Sequence, residues 1–186
     1  MVIGPGPIGL LAVAVAKALG ARPVILTGTR NKRLAIGQEL GADRVININD
    51  EDPLAVVKQP TGGSGADYVV ECAGTEATLN QAIRMTPRGG RICLAAFPHE
   101  AATLDIAHLV RNNINAYGIR GEGPSATHRA IALMAAKRLD ATKIHMHTFP
   151  LANRPTALRY ARDRVDDAIK VVVTNRKLEA IASAAE

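Results

Sequence analysis

Short, β-branched apolar runs alternate along this chain with longer stretches whose apolar residues recur at helical spacing. Met1-Val2-Ile3 reads as the end of a strand. PIGLLAVAVAKALG follows as a helix, with Pro7 in its first turn and Gly20 as its stop. PVILT is a second strand, and NKRLAIGQELG a second helix with Asn31 as N-cap and Gly41 past its end. RVINI is a third strand, DPLAVVKQ a short helix and TGGSGA a flexible loop. DYVVECAG is a fourth strand, and TEATLNQAIRM a helix that Thr75 caps. GRICLAAF is a fifth strand, DIAHLVRN a helix, INAYGIRG a sixth strand and SATHRAIALMAAKRL a closing helix. Beyond Lys143 the pattern is less regular: KIHMHTFPL, a helix from about Pro155 to Asp163, and the apolar run AIKVVVT.

The strands are too apolar to own a wet face, and each is followed by a helix. That combination predicts an α/β fold, a doubly wound parallel sheet of six strands with helices on both faces and right-handed crossovers, plus a C-terminal return segment. There is no internal repeat and no low-complexity segment.

The first predicted turn carries chemistry. Gly4, Gly6 and Gly9, with Pro7 and Ile8 between them, fit the G-x-G-x-x-G spacing between a strand and a helix. Gly4 permits the tight exit from the strand, Gly6 lets backbone approach a pyrophosphate, and Gly9 lets helix pack on sheet. The helix then points free N–H groups at the phosphates. The context is that of a Rossmann dinucleotide site. Methyltransferases that bind S-adenosylmethionine use a similar glycine turn, and they too place an acid at the end of the second strand. Here that strand ends in Thr27-Gly28-Thr29-Arg30. A missing carboxylate removes a ribose hydrogen bond and also a repulsion against phosphate. Arg30 offers a bidentate grip on a 2′-phosphate, with Arg33 assisting and Gly28 and Thr29 giving room and donors. NADP is therefore favoured, with NAD second. The plain alternative is a solvated basic start to the second helix.

Composition narrows the partners. The chain has 186 residues and a formal net charge of +6, but aromatics are 3% and the basic residues are dispersed, which argues against nucleic acid. Lys17 interrupts the longest apolar run, so no membrane span is predicted, and no basic n-region marks a secretory signal. Cys72 and Cys93 lie in apolar runs and read as reduced, buried thiols of a cytoplasmic protein. The sixth strand, about Asn113 to Ile119, falls at a sheet edge and carries no lysine, proline or acid. It predicts a homodimer by edge pairing.

The stretches VIGPGPIGLLAVAVAKALGA, RLAIGQELGADRVIN, GADYVVECAG, TPRGGRICLAAF, LDATKIHMHTFPLANRPTALRYA and AIKVVV together resemble the medium-chain dehydrogenase/reductase family, in particular its zinc-dependent alcohol and polyol dehydrogenases. The resemblance implies a nicotinamide-binding domain of an oxidoreductase that moves hydride between an alcohol or polyol and NAD(P). It implies a cofactor channel lined by Cys72, Ala73 and Gly74 after the fourth strand and by Ala95, Ala96 and Phe97 after the fifth. It also implies a basic contact near the pyrophosphate from Lys170. Many members carry a glycine where the fifth strand here reads Leu-Ala-Ala-Phe.

In that family an N-terminal domain holds the catalytic zinc and the proton relay, and the expectation is a chain that lacks it. Residues 1–122 are expected to form the cofactor domain, and residues 123–186 a closing helix and a segment that packs on the N-terminal domain. No catalytic residue and no metal ligand is assigned within the chain. His145 and His147 share a strand face but have no third ligand nearby, so they read as polar strand residues. Glu71 and Asp67 read as strand-end polar groups, and His108 and His128 receive no role. A zinc-free quinone or enone reductase of the same superfamily, and an NADP-binding module without catalysis, stay open as alternatives.

Overall fold

A computed structural model describes residues 1–98, 100–121 and 123–175. They fall into two compact units, Met1–Asp140 and the part of the chain from Ala141 onward. In the first, six parallel strands run β1 (Val2–Ile3), β2 (Ile25–Gly28), β3 (Arg44–Asn47), β4 (Tyr68–Glu71), β5 (Arg91–Leu94) and β6 (Asn115–Gly118). Their order in the sheet is β3-β2-β1-β4-β5-β6. The chain starts in the middle, winds to one edge, then crosses over and winds to the other, as the alternation of strands and helices requires. Ile3 pairs with Thr27 on one side and Glu71 on the other, so the reversal of winding lies beside the end of β1.

The helices are α1 (Pro7–Ala18), α2 (Asn31–Glu39), α3 (Pro53–Lys58), α4 (Glu76–Met85), α5 (Ile106–Arg111) and α6 (Gly123–Ala135). Under α4, Ile3, Val69, Ala82, Ile83, Met85, Ile92 and Ile114 form one buried cluster. Leu10 and Val13 of α1 are fully buried. Thr75 caps α4 as expected and does so reciprocally, its hydroxyl accepting from the Thr78 amide and the Thr78 hydroxyl accepting from the Thr75 amide. The expected cap of α2 is corrected. Arg30 occupies the cap position without capping the helix through its side chain, and Asn31 is already helical, its Oδ1 accepting from Asn47 Nδ2 at 2.7 Å. The partner at the end of β3 takes the side chain away from the helix terminus.

The first unit includes α6, whereas the sequence reading closes the cofactor domain at residue 122. The cause is packing against α1. Leu133 and Ala130 of α6 line a groove with Val15 and Leu19, and the Arg138 guanidinium donates to the Ala18 carbonyl.

The second unit is a small βαβ element: β7 (His145–Pro150), α7 (Arg154–Asp163) and β8 (Lys170–Thr174), with the strands parallel. His147 and Phe149 each meet the Tyr160 ring of α7 with centroids 5.0 Å apart. A register shift falls between His145 and His147, so the two do not follow simple alternation. His145 instead bonds Thr148 Oγ1 through Nε2 at 2.8 Å.

Candidate functional site

The carboxyl ends of β1, β2, β4 and β5 converge on the start of α1. The Gly4 amide donates to the Thr27 carbonyl at 2.9 Å, which joins the turn after β1 to the end of β2. Gly4 has φ +97°, a conformation that side chains disfavour, and a Cβ there would lie 3.1 Å from the Ala73 Cβ. At Gly9 a Cβ would overlap the Gly4 carbonyl oxygen and stand 3.4 Å from the Cys72 Cβ. The helix is therefore seated directly on the turn. Gly6 is the N-cap of α1, has no side-chain cap, and has nothing within 4 Å of where its Cβ would be. Pro7 fills the first helical position, and no acid lies in the first turn. The result is an uncapped, electropositive helix end above an open space, which suits a phosphate group.

The loop after β4 is fixed from below by Glu71, which is completely buried. Its Oε1 accepts from the amides of Ala73 at 2.8 Å and Gly74 at 2.9 Å. Its backbone carbonyl accepts from the amides of Ala95 and Ala96 at 2.9 and 3.1 Å, so one residue ties both strand-end loops together. A Cβ on Gly74 would lie 3.0 Å from the Ala96 Cβ, which shows how closely the loops meet. The Cys72 amide donates to the Ile3 carbonyl at 2.9 Å. Burial pushes the Cys72 thiol up to about 12, and the Glu71 carboxylate and Cys93 add to the shift. Cys72 is thus a neutral wall, not a nucleophile.

Beyond these loops, Ile8, Ala95, Ala96, Phe97, Ile119, Arg120 and Gly121 line a cleft of about 600 Å³. Phe97 is largely exposed, and the Arg120 guanidinium carbon sits 5.3 Å over its ring centroid. At the opposite end, the β2–α2 turn exposes Thr29 and half-buries Arg30, while Gly28 is buried. Arg33 is buried on the inner side of α2. The Gly28 carbonyl accepts from the Ile48 amide at 3.0 Å, and Asn47 Oδ1 accepts from the Asn49 amide at 3.1 Å.

The structure thus gathers Gly4, Gly6, Pro7, Ile8, Gly9, Cys72, Ala73, Gly74, Ala95, Ala96 and Phe97 along one edge of the sheet, with Gly28, Thr29, Arg30 and Arg33 around the β2–α2 turn. Lys170 opens β8 in the second unit, exposed and in register with His145. Four contributors were missed in the sequence: Glu71 as the organiser of two loops, Asn47 and Asn49 as supports of the turn, and Arg120 in the cleft. Only Glu71 carried a signal, since a carboxylate inside an apolar strand is buried only when it has partners.

A turn, helix and pair of strand-end loops arranged in this way define a dinucleotide-binding α/β domain. Residues 7–136 match the family model described as zinc-binding dehydrogenase, and the chain belongs to that family, among the medium-chain dehydrogenases/reductases. It is 38% identical over 152 residues to L-threonine 3-dehydrogenase of Bacillus subtilis (strain 168), which covers 81% of this chain and 44% of the relative. It is 31% identical over 173 residues to sorbitol dehydrogenase of the same organism, covering 92% and 49%. Among solved structures it superimposes on the alcohol dehydrogenase TADH from Thermus sp. ATN1 with a TM-score of 0.84 at 31% identity, covering 91% of this chain and 49% of that one. The chain spans about half the length of the curated relatives it matches.

Among the described residues no three His, Cys, Asp or Glu side chains converge as metal ligands. The described residues therefore do not offer a ligand set that fits a zinc ion. No helix among them is long and apolar enough to cross a membrane.

Proposed function

We propose that this chain is the cofactor-holding part of an oxidoreductase that moves hydride between an alcohol or polyol and NADP. The observation that carries the reading is the end of β2. Gly28 stands there in place of a carboxylate and Arg30 opens the following helix. The fit to a dinucleotide rests on the open space over Gly6 and the uncapped start of α1. Gly6 and the first-turn amides of α1 would hold the pyrophosphate, and Thr29 and Arg30, with Arg33, would hold the adenosine 2′-phosphate. Cys72, Ala73 and Gly74, with Ala95, Ala96 and Phe97, would line the nicotinamide side. When bound, the cofactor supplies or accepts a hydride. The chain's own work is to bind, to orient and to exclude water, with Glu71 holding the two loops in register.

The similarity to L-threonine 3-dehydrogenase and sorbitol dehydrogenase favours a substrate with a secondary or primary hydroxyl group. The same reading makes Lys170 a contact of the phosphates, β6 the seam of a homodimer and the cytoplasm the compartment.

The test is cofactor titration of Arg30→Ala. A charge-assisted hydrogen bond contributes about 1.5–3 kcal/mol, so NADPH affinity should fall by about tenfold or more while NADH affinity barely changes. Equal binding of NADH and NADPH by the wild-type chain would defeat the assignment.

A further inference from the structure

Gly28 is not there for its backbone. Its φ is not positive, so any residue could adopt its conformation. It is there for space. A Cβ built on Gly28 would collide with Cδ and Cγ of Pro5, and it would lie 3.5 Å from Leu34 Cδ2. Pro5 is the residue between the first two glycines of the turn after β1, and β1 and β2 are hydrogen-bonded neighbours. Its ring cannot rotate aside, because the ring itself fixes φ. The turn is also held down by the Gly4 amide on the Thr27 carbonyl, one residue before Gly28.

We propose that Pro5 is a specificity-determining residue. Its ring occupies the volume that a side chain at position 28 needs, and so it locks the ribose-binding carboxylate out of this site. The inference rests on the NADP reading above and deepens it. An acid at the end of β2 bonds the ribose hydroxyls of NAD and repels a 2′-phosphate. Here the exclusion of that acid is built into the phosphate turn and not only into β2. Specificity is thus a property of the Pro5–Gly28 pair, and Gly28→Asp alone cannot convert the site.

The experiment is a double-mutant cycle on the full chain. Its arms are wild type, Pro5→Ala, Gly28→Asp and the double variant, each titrated with NADPH and with NADH. Gly28→Ala, alone and with Pro5→Ala, is followed by urea unfolding. Gly28→Ala should lower the unfolding midpoint, and Pro5→Ala should restore most of the loss. Gly28→Asp alone should bind neither cofactor well. The double variant should favour NADH, with the NADPH/NADH preference shifted by about a hundredfold relative to Pro5→Ala, or two tenfold steps. If Gly28→Asp alone gains NADH as fully as the double variant, or if the unfolding effects simply add, Pro5 has no such role. Wild-type chain that binds NADH as tightly as NADPH overturns the cofactor reading itself. Wild-type preference for NADPH with additive Pro5 and Gly28 effects overturns only the role of Pro5.

Discussion

Removing the Glu71 carboxylate is the perturbation that most directly tests how the site is held. The side chain is completely buried at the end of β4, and Oε1 accepts from the Ala73 and Gly74 amides. Its other oxygen, Oε2, is buried with no hydrogen-bond partner among the described residues. Two effects oppose each other. Hydrogen bonds to a charged acceptor contribute about 1.5–3 kcal/mol each, while a buried carboxylate with an unsatisfied oxygen costs several kcal/mol in desolvation. Truncation does not return that desolvation cost cleanly, because it also strips two amides of their acceptor and leaves a cavity. Glu71→Ala is therefore expected to destabilise the chain by about 3–5 kcal/mol. Glu71→Gln keeps an acceptor in place but loses the charge assistance, and it should cost about 1–3 kcal/mol. Urea unfolding measures both, and NADPH titration of the folded Gln variant should show weakened binding because Ala73 abuts Gly4. A Glu71→Ala chain as stable as wild type, with unchanged cofactor affinity, would refute the reasoning. It would mean that the cost of burial exceeds what the two bonds contribute.

Other outcomes follow from the same geometry. Gly9→Ala places a methyl group against the Gly4 carbonyl, so α1 must lift off the turn; a stability loss of about 1–3 kcal/mol and a loss of NADPH binding are expected by urea unfolding and titration. Cys72 has its folded pKa raised from 9.0 to about 12, so its protonated form favours the fold below pH 9.0 and that contribution is lost as pH rises toward 12. The urea midpoint should fall more steeply above pH 9.0 in wild type than in Cys72→Ala, and native Cys72 should resist alkylation near neutral pH. At the sheet edge, the Asn115 and Ile119 amides donate to the Gly90 and Leu94 carbonyls of the β5 side, so alternate residues turn outward and Ala116 presents its amide to the open edge. Ala116→Pro should give monomers in sedimentation while leaving the β5–β6 ladder intact, and an unchanged dimer would rule out this edge as the seam.

The winding of the sheet was legible because a strand buried on both faces must be apolar throughout, and a helix between two such strands admits a single handedness. The glycine turn was legible because its spacing is local. Each of Gly4, Gly6 and Gly9 answers to a constraint set within a few residues. What stayed hidden lies across the sheet. Asn31 reads as a cap until Asn47, sixteen residues on, claims its side chain. Ile114 reads as part of an edge strand, yet it precedes β6 and is buried in the cluster under α4, because its neighbour in space is Ile92 and not solvent. Gly28 reads as the loss of a carboxylate, a statement about cofactor charge. The structure adds that Pro5 fills the space beside it, which no spacing rule could supply, since the two residues meet only when β1 and β2 pair. Charge and packing lead to different behaviour of Gly28→Asp. If charge alone governs, the variant gains NADH and keeps its fold. If packing governs, it loses stability before its preference can be read, and it recovers only when Pro5 is made smaller.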